Sequence, residues 1–215
     1  MSVRRLAAEQ PDGFQFNPEN RKWADAQLKK YPAGREQSAV LPLLWRAQEQ
    51  CDGWLPEPAI RHVAEFLSMP YIRVYEVATF YTMFNLEPVG KYLVQVCKTT
   101  PCWLRGSDEL ERVCFEEIGS PESISSDGNF TWRQVECLGA CVNAPIVQIN
   151  ADFHEDLNAQ SFRALLSKLR AGETVTAGSH VGRHASEPVE IEKSANANEK
   201  SANEEQETLQ FKKPE

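Results

Sequence analysis

The sequence predicts an α+β chain: a helical bundle, then a small α/β domain, then a polar tail. Three observations carry this. Between residues 17 and 90, four stretches repeat apolar residues at helical spacing. From Lys91 the period changes to short β-branched runs alternating with helical ones. From Arg183 to Glu215 there are eight acidic and five basic residues, and Glu-Lys-Ser-Ala-Asn occurs at 192–196 and again at 199–203. Such a segment buries too little apolar surface to fold alone and is expected to be disordered. The expected divisions are an N-terminal extension (1–16), a four-helix bundle (17–90), the α/β domain (91–172) and a low-complexity tail (173–215).

In the bundle, Asn17-Pro18 is a helix-start signal, an N-cap side chain followed by proline at the first helical position. Trp23, Ala24 and Leu28 follow, and Tyr31-Pro32-Ala33-Gly34 stops the helix. The second helix spans about 38–50 with Val40, Leu44, Ala47 and Cys51 on one face, and it begins at or kinks near Pro42. The third starts around 55–58 with Ile60, Val63, Ala64 and Leu67 as its stripe, and Met69-Pro70 breaks it. The fourth runs from Tyr71 to Phe84, and Glu87-Pro88-Val89-Gly90 is a turn. In the second domain, strands are expected at 91–96, 130–136, 146–149 and near Phe153-His154. Helices are expected at 103–118, with Leu110, Val113, Cys114 and Ile118 inward, and at 158–170, with Phe162, Leu165, Leu166 and Leu169 inward.

A net charge of −8 argues against a nucleic-acid partner. No run of about 18 apolar residues suggests a membrane span, and the N-terminus MSVRRLAAEQPDGF has no apolar h-region of a secretory signal. The six cysteines are therefore read as metal-binding or redox residues in a reducing compartment.

Four of them form two close pairs. Cys97 and Cys102 enclose four residues, Cys137 and Cys141 enclose three, and thirty-four lie between the pairs. Structural zinc favours two tighter knuckles about 15–20 residues apart, so the spacing fits it poorly. A [2Fe–2S] cluster takes two thiolates on each iron, which two loops can present. No histidine lies near either pair, which removes a Rieske centre. Cys97 ends a predicted strand and Cys102 begins a helix, whose free N–H groups suit an anion. Thr99, Thr100 and Gly139 can donate hydrogen bonds to sulfur. The reading is a [2Fe–2S] centre on Cys97, Cys102, Cys137 and Cys141. Cys51 and Cys114 lie on apolar helical faces and read as small buried hydrophobes. His62, His154, His180 and His184 show no ligand spacing and are expected at the surface. No G-x-G-x-x-G, P-loop or nucleophile–base set occurs, so the chain reads as an electron carrier that needs a partner. The other classes are a dithiol oxidoreductase, weakened by the three-residue gap, and a zinc-stabilised docking module.

Five stretches carry a family resemblance: Gly53-Trp54-Leu55-Pro56, residues 77–84 (VATFYTMF), residues 97–106 (CKTTPCWLRG), residues 127–131 (DGNFT) and residues 137–145 (CLGACVNAP). They resemble the 24 kDa subunit family of respiratory NADH:quinone oxidoreductase (complex I), over roughly residues 14–172. The resemblance implies a helical bundle followed by a thioredoxin-like [2Fe–2S] domain, with Cys97, Cys102, Cys137 and Cys141 as ligands. It implies FMN only in a partner, the flavin- and NADH-binding subunit, with which the cluster exchanges one electron as a side acceptor. The large iron–sulfur subunit is the second implied neighbour. The implied location is the peripheral arm, on the cytoplasmic face of a bacterial inner membrane or the matrix side of a mitochondrial one. Soluble NAD-dependent hydrogenases and formate dehydrogenases use similar subunits. In thioredoxin-like folds a proline, often cis, precedes a central strand beside the redox loop, and Pro145 stands in that place.

Overall fold

The first helix begins on its sequence signal. The Asn17 side chain accepts the Asn20 N–H at 2.8 Å, and Pro18 opens α1 (Pro18–Leu28). The structure, a computed structural model, describes residues 4–186. The repeats and the apolar Leu209-Gln210-Phe211 of the expected tail lie outside the described residues. A 3₁₀ turn leads into α2 (Val40–Gln50), so Pro42 sits in the first turn, where a missing N–H leaves no bond unmade. Next come α3 (Glu57–Phe66) and α4 (Tyr71–Phe80). Leu43, Leu44, Ala47, Ile60, Val63, Val74 and Ala78 are fully buried in one core shared by these helices.

The fourth helix is shorter than the expected 71–84. Tyr81 turns extended at φ −84°, ψ 116°. The cause lies far away in sequence. The Arg4 guanidinium donates to the carbonyls of Ala78 (3.4 Å), Thr79 (3.1 Å), Tyr81 (2.9 Å) and Phe84, satisfying acceptors that a helix end leaves open. Phe84 then swings fully into the helical core while Phe80 stays exposed.

Five strands form one sheet in the order β2–β1–β3–β4–β5. β1 (Tyr92–Cys97) runs parallel to β2 (Phe130–Val135). Their crossover contains α5 (Thr100–Leu104) and α6 (Ser107–Glu117). The helix expected over 103–118 is therefore interrupted, because Gly106 takes φ 98° between the two, a conformation that favours glycine. β3 (Val147–Ile149) and β4 (Asp152–Glu155) pair antiparallel. α7 (Ala159–Arg170) starts on a capping box of Asn158 and Ser161.

Strand alternation sorts the domain into two cores. Val94, Val96, Phe130, Trp132, Val147 and Ile149 face α6 and α7, against Leu110, Val113, Cys114, Phe162, Leu165 and Leu166. One residue out of step, Cys97, Ile146 and Phe153 join a separate small cluster with Cys102, Ala140 and Ala144. The peptide Ala144–Pro145 is cis, as expected.

Two expectations fail at the edge of the sheet. The composition reads as tail from residue 173 on, yet Gly178–Ser179 form β5, parallel to β4. Two residues are too few for a strand signal; pairing to β4 makes the strand. His154, expected at the surface, is 1% exposed, with Nδ1 3.1 Å from His180 Nε2. Burial first, then the charge of His180, pushes its pKa down to about 4, with Asp152 opposing. The unfolded chain takes up this proton near pH ~6.5, the folded chain only near about 4. The stability held by neutral His154 is thus complete above about pH 6.5 and is lost progressively as pH falls toward about 4. Thermal melts across that window should show a fall in midpoint that is visibly flatter in His154→Gln.

Candidate metal centre

The two cysteine pairs reach one end of the sheet by different routes. Cys97 is the last residue of β1, held in place where its N–H donates to Ile146 O at 3.2 Å. Cys102 lies in α5, five residues on, and the first turn of that helix carries Pro101. Both are buried, at 1% and 0% exposure. Cys137 and Cys141 flank the loop after β2, and both are exposed. Cys141 opens a 3₁₀ turn, Cys141–Asn143.

Hydrogen bonds surround the sulfurs. The Thr99 hydroxyl lies 3.3 Å from Cys97 Sγ. Gly139, at φ 83°, turns its N–H toward Cys137 Sγ at 3.4 Å. A Cβ there would meet nothing within 4 Å, so the backbone conformation, not space, calls for glycine. The Cys137 and Cys141 sulfurs are 3.4 Å apart, well beyond the ~2.05 Å of a disulfide.

Within each pair one thiol is shifted down from its ordinary value and the other up. Burial opposes ionisation of Cys97, but hydrogen bonds from the Thr99 hydroxyl and backbone, from Cys102 and from the Leu138 backbone outweigh it and hold its pKa below the ordinary thiol value. Cys102 is pushed up to about 12, by burial and then by its bond to Cys97. Cys137 is lowered, first by the Gly139 N–H and then by Cys141, while Cys141 is raised by its bond to Cys137. Metal binding takes thiolates and releases the protons that thiols carry.

This donor set fits a [2Fe–2S] cluster. Two cysteine pairs at one end of the sheet suit a dinuclear centre with two thiolates per iron, and Thr99 and Gly139 offer hydrogen bonds to Cys97 and Cys137. Among the described residues, no three His, Cys, Asp or Glu side chains are grouped to hold a single metal ion. Cys114 and Cys51 pack elsewhere, in the sheet core and against the helical core. Burial pushes both thiols up, Cys51 to about 11.

Several supporting residues have partners that no spacing or periodicity in the sequence reveals. Lys98, next to Cys97, is clamped by Asp108 and by Glu111 at 2.6 Å, and Trp103 Nε1 donates to the same Asp108 at 2.9 Å. Asn143, buried below the Cys141 turn, donates to Glu155 Oε2 at 2.6 Å. Asn143 lies in the run that carries the resemblance, but its partners are distant in sequence.

Residues 24–170 match the model of the thioredoxin-like [2Fe–2S] ferredoxin family. The chain is 56% identical to the NADH-quinone oxidoreductase E subunit of Rickettsia bellii over 158 residues, covering 73% of this chain and 95% of the relative. It is 52% identical to the NADH-quinone oxidoreductase E 1 subunit of Rhizobium meliloti over 195 residues, covering 88% and 70%. Among solved structures, the air-oxidized NAD⁺-reducing [NiFe]-hydrogenase matches with a TM-score of 0.51 at 22% identity, over 60% of this chain and 23% of that one, which is a likeness of fold. The chain therefore belongs to the thioredoxin-like [2Fe–2S] ferredoxin family and, within it, to the E subunits of NADH-quinone oxidoreductase.

Proposed function

We propose that this chain is the electron-transferring E subunit of an NADH:quinone oxidoreductase, holding one [2Fe–2S] cluster through Cys97, Cys102, Cys137 and Cys141. The observation that carries the reading is the placement of both cysteine pairs at one end of the sheet, where Cys97 stands opposite Val135 just before the Cys137–Cys141 loop and packs with Cys102 and Ala140. It occurs in a chain that aligns with 95% of an E subunit at 56% identity. Identity at that level supports the quinone-linked complex over a soluble hydrogenase, whose likeness is one of fold.

When bound, such a cluster supplies a one-electron couple. The residues of this chain set its surroundings. Ile146, Ala140, Ala144, Leu138 and Phe153 wall the buried pair in apolar side chains, excluding water and lowering the local dielectric, while the exposed Cys137 and Cys141 open toward solvent. N–H and O–H bonds to sulfur stabilise the added negative charge and so raise the potential. Its close relatives are named as subunits of an oxidoreductase, so the chain is a subunit of an enzyme and not a complete catalyst.

The partners in this reading are the flavin- and NADH-binding subunit, where FMN resides and with which one electron is exchanged, and the large iron–sulfur subunit. Its place is the peripheral arm on the cytoplasmic face of the membrane. No helix among the described residues is long and apolar enough to cross a membrane. Residues 17–90 act as a four-helix bundle, supported by a core separate from that of the cluster domain at 91–172.

The test is reconstitution of the purified chain with iron and sulfide. Visible absorbance, metal and sulfide analysis and a reduced-state EPR signal should all report one [2Fe–2S] cluster. A colourless chain holding one zinc would overturn the reading.

A further inference from the structure

The two cysteine pairs are unequally supported. Cys97 and Cys102 are buried on a strand and a helix, whereas Cys141 is exposed on a three-residue turn. What holds that turn comes from the chain after α7, in the part that reads as tail.

The fastening starts at Asp156, just past β4, whose carboxylate is 5% exposed. Ser179 Oγ donates to Asp156 Oδ2 at 2.6 Å. The same hydroxyl accepts the N–H groups of Val181 (3.3 Å) and Arg183 (3.2 Å), folding the segment back on itself. Arg183 then bridges two elements. Its Nη1 pairs with Asp156 Oδ1 at 3.2 Å, and its Nη2 donates to Val142 O at 3.0 Å, one residue from Cys141. Asn143 Nδ2 donates to His184 O at 2.7 Å as well as to Glu155. The Asp156 N–H donates to Asn143 O at 2.8 Å. Two of the three residues in the ligand turn are thereby tied to residues 183–184. The segment is seated by β5 and by Gly178, where a Cβ would stand 3.1 Å from the Ala185 Cβ.

We infer that residues 179–184 are a brace for the Cys141 turn, and that Arg183 is a positioning residue for the cluster through Val142. The inference rests on the cluster reading above. Arginine suits the role because its planar fork reaches a carboxylate and a carbonyl at once, which the single ammonium of lysine does not. Supporting bonds of this kind hold a ligand's orientation and with it metal affinity.

The experiment uses the full chain reconstituted with iron and sulfide, as Arg183→Ala, Arg183→Lys and the control Arg163→Ala. The control removes an ion-paired arginine of α7, bonded to Glu116 and Glu117, away from the site. Release of iron to a chelator should be about tenfold faster in Arg183→Ala, the lower end of the effect of losing an outer-shell partner. The lysine variant should recover part of it, and the control should match the unmodified chain. The EPR g-values of the reduced cluster should shift in Arg183→Ala only. Amide hydrogen exchange, which needs no cluster, should speed up at Asp156, Asn143 and Ala144 in Arg183→Ala, whose N–H bonds close the turn. Unchanged exchange at those amides, or unchanged release and g-values, overturns the brace. An unmodified chain that takes up no cluster overturns the functional reading instead, and exchange still decides the brace.

Discussion

Replacing Cys97 or Cys141 by alanine is expected to abolish assembly of a stable [2Fe–2S] cluster, whereas Cys114→Ala leaves it intact. Each of the first two would remove one of the four candidate thiolates that a [2Fe–2S] cluster needs. No spare donor stands by, since among the described residues no third His, Cys, Asp or Glu joins either pair. Cys114 lies on α6 against the sheet, fully buried, with its thiol pushed up by burial. Its loss removes one buried sulfur and costs about 1–2 kcal/mol of stability with no effect on the centre. Iron and sulfide content, visible absorbance and the EPR signal of the three variants check this. A Cys114→Ala chain that folds but takes up no cluster would show that the ligands are misassigned.

Gly90→Ala should be strongly destabilising although it lies outside the candidate ligands. A Cβ at Gly90 would stand 2.6 Å from the Phe130 carbonyl carbon, 2.7 Å from its nitrogen and 2.9 Å from the Asn129 carbonyl carbon. All three are backbone atoms at the start of β2, so no side chain can swing aside. The Gly90 N–H also donates to Thr131 Oγ1 at 2.8 Å in a buried site. Relief requires moving β2 against β1, the strand that ends in Cys97. Overpacking of this kind costs on the order of 3 kcal/mol, which for a chain of this size lowers the thermal midpoint by roughly 6–12 °C. Gly13→Ala, where a Cβ meets nothing within 4 Å, should leave the stability within about 0.5 kcal/mol of unmodified. A Gly90→Ala chain as stable as the Gly13→Ala one would show that the two backbones do not approach so closely.

Ligand spacing and apolar periodicity speak to the first of these changes and are silent on the second. Local rules place α1, α2, α3 and α7 to within a few residues, because caps, prolines and apolar stripes act over one or two turns. They overshoot α4, because Tyr81–Phe84 is as apolar as the helix before it. The stop comes from Arg4, more than seventy residues away in the chain. Gly106 splits a helix that the stripe of α6 makes look continuous. His154 offers no spacing to read, and its burial comes from the pairing of β4 with its neighbours and from His180.

The helical and α/β halves, and the choice of four sulfurs as the candidate ligands, follow from the amino-acid order alone. The first rests on a periodicity of 3.6 or 2 that burial imposes locally. The second rests on ligand chemistry that thiolates in close pairs supply. The surroundings of those sulfurs are a property of the folded chain: Thr99 against Cys97, Lys98 clamped to α6, Gly90 against β2, and Arg183 bonded to Val142. The last two of these contacts join residues about forty positions apart. Sequence spacing cannot encode them, because their partners are brought together only when the sheet closes and its two faces pack.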